Sequence, residues 1–243
     1  MDRWYGYCTG ANVTGARVAG SGTSQYYYRF TGAASVTAIG FGQRIEVLNS
    51  YDLNNTTATL SVVLANSVLT SVTWTAYYAN TADTFGTLAA PTRTQIATGT
   101  FTVTGTPTRY SANIAIPAAA TTGLEIVFSV GAQTSGTWTI GNVQLEAGSS
   151  ASPFIPPEYA AELARCQRTY EIGYNTHAEG YIASPWWQLW VASPFKATKR
   201  ATPTITVTAG SVSTVTVNAF TSWNWLQSAP QNSEFAWTAS AEL

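Results

Sequence analysis

The sequence predicts an all-β protein interrupted by one short helix. From Tyr26 to Leu145 the chain is a succession of short runs rich in β-branched and aromatic residues. Turn formers (NSYDLNN, ANTADTFG, GTPT, PAAATTG, AQTSG) separate these runs at short spacing. One segment, FIPPEYAAELARCQRTYE from Phe154 to Glu171, breaks the pattern with helical spacing. The expected architecture is a jelly-roll β-sandwich over 1–152, a Pro-rich linker and connecting helix over 153–171, and a small antiparallel β domain over 172–243.

Taken in order, YYYRF, RIEVL, TLSVVLA, SVTWTAYYA, GTFTVTG, RYSANIAI, GLEIVFSVG and TWTIGNVQLE read as the strands of the sandwich. In GLEIVFSV, strand alternation puts Leu124, Ile126, Phe128 and Val130 on a core face, with Glu125, Val127 and Ser129 opposite. Trp138 and Ile140 are out of phase with Val143 and Leu145. A bulge at Gly141-Asn142 would return both pairs to the core.

AGSSASPFIPP has the composition of a linker or of an extended segment pinned by prolines. The helix is expected to start at or just after Pro157. Tyr159, Leu163, Cys166 and Tyr170 form one apolar stripe, widened by Ala160 and Ala164. Glu158 and Glu162 precede Arg165 and Arg168, the order the helix dipole favours, and Glu162 can pair with Arg165. A helix of about four turns is marginal alone in water and requires a packing partner. Beyond it, GYIASPWWQLWVASPF, TPTITVTAG, STVTVNAF, TSWNWLQS and EFAWTASAEL read as a second β unit. That unit holds six of the nine tryptophans, Trp186, Trp187, Trp190, Trp223, Trp225 and Trp237.

Composition narrows the chemistry. Charged residues are 9% of the 243, with a net charge of −1, so Thr, Ser, Asn and Gln must cover the surface. Lys196, Lys199 and Arg200 are the only basic cluster, too little for a phosphate-tracking stripe, and nucleic acid is not expected as a partner. No apolar run is long enough to span a bilayer, and the N-terminus lacks a signal-peptide pattern, so membrane insertion is not expected. Cys8 and Cys166 read as two separate thiols rather than a disulfide or metal pair. His177, the single histidine, has no nucleophile motif beside it. No cofactor is expected. Asn49, Asp52 and Asn54 offer oxygen atoms for a structural calcium but lack the regular spacing of a calcium loop.

The junction carries a resemblance. Val143-Gln144-Leu145-Glu146, Gly148, Ala151-Ser152-Pro153-Phe154, Glu162-Leu163, Cys166-Gln167-Arg168 and Tyr170 resemble the C-terminal region of bacteriophage tail fibre and receptor-binding proteins. Asp2-Arg3-Trp4, Gln43-Arg44-Ile45-Glu46, Thr59-Leu60-Ser61, Arg109-Tyr110-Ser111, Arg200-Ala201-Thr202-Pro203-Thr204 and Ala239-Ser240-Ala241-Glu242-Leu243 agree in order. The resemblance implies a carbohydrate-binding-module-like jelly roll, a connecting helix and a distal tip domain, with further fibre sequence ahead of Asp2. It also implies a homotrimer at the distal end of the virion's tail fibre. Tyr159, Leu163, Cys166 and Tyr170 would then meet their counterparts near a three-fold axis. The expected partners are the rest of the fibre and a bacterial surface polysaccharide or lipopolysaccharide.

Sugars are held by flat apolar faces and polar side chains. Alternation puts Trp186, Gln188 and Trp190 on one face of their strand, with Trp187, Leu189 and Val191 opposite. Trp223 and Trp225 share a face, and one of Tyr77 and Tyr78 should be buried and the other exposed. The candidate carbohydrate residues are therefore Trp186, Gln188, Trp190, Trp223, Trp225 and Tyr77, although core or subunit contact is the competing reading for each tryptophan. Arg44 and Glu46 could line a groove, or form a solvated ion pair. Hydrolysis would need two facing carboxylates. Glu125 and Glu146 read as solvent-facing strand residues and Glu158 and Glu162 as helix-start residues, so binding without cleavage is the expected activity. A structural trimerisation module is the alternative, followed by a polysaccharide depolymerase.

Overall fold

Alternation in the apolar runs gives two five-stranded antiparallel sheets packed as a jelly-roll β-sandwich, followed by a helix and a second β unit. The computed structural model describes residues 4–22, 24–177, 189–208, 212–218, 220–227 and 233–241. For 175–177, 189–192, 208, 212–214, 218, 225–227 and 233–235 only the backbone is described. Chain contacts divide the described residues into two units, one ending at Pro156 and the other beginning at Pro157.

In the first unit the strands are β1 (Trp4–Thr9), β2 (Thr14–Ala19), β3 (Tyr26–Thr31), β4 (Ala38–Ile45), β5 (Thr57–Asn66), β6 (Ser71–Ala79), β7 (Arg93–Thr102), β8 (Thr108–Ala115), β9 (Leu124–Val130) and β10 (Thr137–Ala147). The first sheet runs β1-β4-β9-β6-β7 and the second β2-β3-β10-β5-β8. Their inner faces share one core. Ile39, Phe41, Trp74 and Phe128 of the first sheet meet Phe30, Leu60, Leu64, Trp138 and Ile140 of the second. Phe30 links the layers, with its ring 5.5 Å from Phe41 and 5.2 Å from Trp138. Leu124, Ile126, Phe128 and Val130 are all buried, as alternation in β9 requires.

The bulge lies where the phase change demands it. The β10–β5 register shifts between Gly141 and Gln144, and Asn142 takes a left-handed φ of 50°. Trp138 and Ile140 are buried, and Val143 and Leu145 pack against the same core. RIEVL departs from expectation: β4 ends at Ile45, and Val47–Ser50 forms a single helical turn, α1. The Asp83 carboxylate accepts a hydrogen bond from the Val47 N–H at 2.9 Å, satisfying a donor that a strand would have paired in the sheet.

Residues 148–152 do not hang free of the sandwich. Gln144 and Glu146 point away from the core on β10, and both hold Ser152. Its hydroxyl donates to Glu146 Oε2 at 2.7 Å, its N–H donates to Glu146 Oε1 at 2.8 Å, and its Oγ accepts from Gln144 Nε2 at 2.9 Å. Arg109 donates to the Ser152 carbonyl at 2.6 Å, Thr59 to that of Gly148 at 2.7 Å and Asn113 to that of Ser149 at 3.0 Å. The segment is a strap across the outer face of the second sheet, and it leaves Thr59 and Ser61 buried. The Ser152 hydrogen bonds hold the Glu146 carboxyl below its ordinary pKa.

In the second unit the helix α2 spans Tyr159–Thr169, with Glu162 and Arg165 paired at 3.8 Å on its surface. Tyr170 belongs to the following strand rather than to the helix. The Thr169 hydroxyl donates to the Cys166 carbonyl, and Tyr170, already extended, opens a run in which Tyr, Ile, Tyr and Thr favour β structure. The strands are β11 (Tyr170–His177), β12 (Leu189–Pro194), β13 (Thr204–Thr208), β14 (Val212–Asn218), β15 (Ser222–Gln227) and β16 (Ser233–Ser240). They form the three-stranded sheets β11-β16-β13 and β12-β15-β14. Trp223, Trp237, Phe195 and Ala239 make the core, with the two indoles edge to face at 5.3 Å. A buried ion pair ties the helix end to this unit: Lys199 Nζ lies 2.7 Å from Glu171 and donates to the Gln167 carbonyl at 2.5 Å.

Candidate functional site

The outer face of the first sheet carries aromatic rings laid over glycines beside a buried ion cluster. Strand β4 alternates glycine with large residues, so Gly40 and Gly42 point outward where Ile39 and Phe41 point to the core. Their register partners on β1 are Tyr7 and Tyr5. With no Cβ beneath them, the two rings lie down across β4. A Cβ at Gly40 would stand 2.1 Å from the Tyr7 ring, and one at Gly42 2.6 Å from the Tyr5 hydroxyl. The rings run nearly parallel, with centroids 6.4 Å apart and planes 20° apart. Both stay half-buried, and burial pushes both phenols above their ordinary pKa, so each hydroxyl remains protonated.

At one end of this tyrosine floor sits an ion cluster. Glu125 projects outward from β9 between its register partners Arg44 on β4 and Tyr77 on β6. Arg44 Nε donates to Glu125 Oε1 at 2.9 Å, Tyr5 donates to the same oxygen at 2.8 Å, and Arg93 Nη1 donates to Oε2. The carboxylate side chain is 0% exposed and each arginine side chain 14%. The Arg93 guanidinium lies 4.0 Å over the Tyr77 ring, and Arg44 also donates to the Gly86 carbonyl at 2.9 Å. Thr73, Thr75 and Ser129 share this face and are partly open, so hydroxyl groups continue the surface beyond the rings.

Three sequence expectations are corrected here. Glu125 is not a solvent-facing strand residue: with two guanidinium groups and a phenol beside it, a carboxylate can be fully buried. Arg44 is committed to Glu125 and the Gly86 carbonyl rather than held in a solvated pair, and Glu46 is buried beyond the end of β4. Tyr77 does belong to this face, beneath Arg93. Tyr77 and Tyr78 do not divide into one buried and one exposed, because both are half-buried, Tyr77 under the guanidinium and Tyr78 against the core.

The candidates in the second unit fare differently. Trp223 is 0% exposed, in the core of its unit against Trp237, so it offers no open platform within the chain. Trp186 and Gln188 lie outside the described residues, as do the side chains of Trp190, Trp225 and His177; only the backbones of these last three, in β12, β15 and β11, are described. Of the stripe residues, Tyr159 and Leu163 on α2 are 79% and 41% exposed, Tyr170 at the start of β11 is 37% exposed, and Cys166 is half-buried. The apolar stripe is therefore open within the chain. Ile172 and Tyr174, at alternate positions of β11, are exposed as well. Neither cysteine is in a disulfide. Asn49 and Asp52 are exposed and Asn54 half-buried around α1 and the 3₁₀ turn that follows, Tyr51–Leu53. Among the described residues there is no cluster of three or more His, Cys, Asp or Glu placed to hold a metal, and no helix long and apolar enough to cross a membrane.

Tyr5, Tyr7 and Arg93 were not singled out from the sequence. The signal was present in two places, Y-G-Y in β1 and G-F-G in β4, but it becomes visible only once those strands are known to pair in register.

No family model matches the chain, and no curated protein matches it. Among solved structures it is similar to the enzymatically active domain of tailspike protein 4 of bacteriophage CBA120, at 20% identity and a TM-score of 0.42, over 60% of this chain and 19% of that one. It is similar to a family 4 carbohydrate-binding module at 18% identity and a TM-score of 0.46, over 60% of this chain and 88% of that one. A third similarity is to the CBM22-2 xylan-binding domain of Paenibacillus barcinonensis Xyn10C, at 17% identity and a TM-score of 0.40, over 60% of this chain and 92% of that one. This chain spans less than a fifth of the length of the tailspike chain.

Proposed function

We propose that the chain is the glycan-binding, receptor-recognising tip of a bacteriophage tail fibre, taking a bacterial surface polysaccharide or lipopolysaccharide without cleaving it. One observation carries the glycan reading: the floor of Tyr5 and Tyr7 rings laid on Gly40 and Gly42, bordered by Tyr77, two guanidinium groups and a row of hydroxyls. Flat rings suit the C–H faces of sugars, and hydroxyls and N–H groups suit their oxygen atoms. The single carboxylate on the strands of this face is consumed by Arg44 and Arg93, which favours binding over hydrolysis. The fibre-tip part rests on the junction motif from Val143 to Tyr170.

The test is adsorption to host cells and to purified surface polysaccharide, comparing the wild type with Tyr7→Ala. Binding lost in the variant at unchanged thermal stability supports the reading; binding retained at full strength contradicts it. Reducing ends released from the polysaccharide at high protein concentration would replace binding by depolymerisation.

A second reading, a trimerising module, is favoured by the open Tyr159–Leu163–Tyr170 stripe. The two are compatible, since a trimer multiplies weak sites by effective concentration. Light scattering should give about three times the 25.9 kDa chain mass, falling towards one on Leu163→Glu. A wild-type monomer would remove the trimer.

A further inference from the structure

We infer that the outward edge of Arg93 is a carboxylate receptor, and that the glycan taken by this face is an acidic one carrying uronic-acid-type carboxylates. This rests on the glycan reading above and deepens it.

The argument starts from which nitrogens Arg93 spends. Its Nη1 donates to Glu125 Oε2 and lies 3.5 Å from the Tyr5 hydroxyl oxygen. Among the described residues, Nε and Nη2 have no hydrogen-bond partner, and neither is a fully buried atom. Those two N–H groups form the side-on fork of a guanidinium, whose spacing matches the two oxygens of a carboxylate. Elsewhere on the same face Arg44 spends itself inward, on Glu125 and on the Gly86 carbonyl.

The fork is also held in place. The guanidinium carbon stands 4.0 Å over the Tyr77 ring, which fixes its plane, and the bond to buried Glu125 fixes its rotation. Little rotamer freedom is left to lose when a ligand is bound. Charge points the same way. The five strands of this sheet carry only three charged residues, Arg44, Arg93 and Glu125. The carboxylate is the one sealed from solvent, so the cluster presents a net positive charge to a ligand. Across the whole chain the net charge is −1, so a polyanion would gain nothing from the molecule at large.

The experiment is affinity electrophoresis or calorimetry of the full chain with alginate, polygalacturonate and hyaluronan, each beside its carboxyl-reduced neutral counterpart, and with dextran sulfate. Binding of at least one uronate polymer about tenfold or more above its reduced form supports the inference. Arg93→Lys keeps the charge but loses the fork, and should erase most of that difference while leaving the unfolding transition in place. The comparison of native with reduced polymer needs no variant, so a misfolded Arg93→Lys would not rescue the idea. Equal binding of native and reduced polymers, abolished by Tyr7→Ala, would overturn the carboxylate receptor and leave the glycan reading standing. Equal or tighter binding of dextran sulfate would make the site a general anion site and overturn the assignment to carboxylates. Binding to no polymer in either form would overturn this inference, and failed adsorption to cells and surface polysaccharide would separately remove the reading beneath it.

Discussion

The two outer faces of the sandwich are finished in opposite ways. On the second sheet the chain covers its own polar residues: Thr59, Arg109, Gln144 and Glu146 bond the strap from Gly148 to Ser152, and Ser61 accepts from Arg109 beneath it. On the first sheet the loop around Phe85 and Gly86 reaches only the Arg44 end, and side chains cover the rest. Tyrosines lie over glycines, and arginines close over Glu125. Beneath the strap the polar side chains bond the chain's own backbone, whereas the tyrosine floor and the guanidinium edges of the first sheet stay partly open to a ligand.

The largest effect that would break this comparison lies under the arginines. Glu125→Gln leaves two guanidinium groups facing each other without their carboxylate, and breaking a buried pair costs about 3–5 kcal/mol. Denaturant unfolding of the first unit should show a loss of that size; a change within experimental error would mean that Glu125 is hydrated in solution. On the opposite face, Arg109→Ala removes charge-assisted bonds to Ser61 and to the Ser152 carbonyl. It should cost about 1.5–3 kcal/mol and speed proteolysis within 148–156, with glycan binding unchanged. Loss of binding in that variant would mean that the two faces are not independent.

Gly40→Ala sharpens the same contrast from the binding side. Its Cβ would collide with the Tyr7 ring, and such overpacking costs about 1–3 kcal/mol. The ring must lift, so affinity for glycan should fall more than stability does; calorimetry beside thermal unfolding separates the two. The smallest effect concerns pH. Because the folded state lowers the Glu146 pKa, its hold on Ser152 is fully present above the ordinary carboxylate range and is lost as pH falls through the lowered value. Strap proteolysis by an acid-active protease should rise over that interval in the wild type and be flat in Glu146→Gln.

Much of the fold was legible because it depends on period. Alternation in GLEIVFSV gave the buried set Leu124, Ile126, Phe128 and Val130, and the phase change in TWTIGNVQLE gave the bulge at Gly141-Asn142. The site was far less legible, because it depends on pairing across strands. Gly40 and Gly42 look like weak points in a strand until Tyr7 and Tyr5 are placed opposite them. Glu125 reads as a surface residue until Arg93, distant in sequence, closes over it. Trp223 shows the converse: its sequence context allowed both a sugar-binding and a core role, and the small core of the second unit takes that indole.

The central claim is that the outer face of the first sheet is where glycan binds. A carbohydrate array of bacterial surface polysaccharides, probed with the wild type and with Tyr7→Ala, tests it most directly. The account predicts a defined set of bound glycans in the wild type and their loss in Tyr7→Ala at unchanged melting temperature. An identical set bound by both proteins would contradict it and would place recognition away from this face.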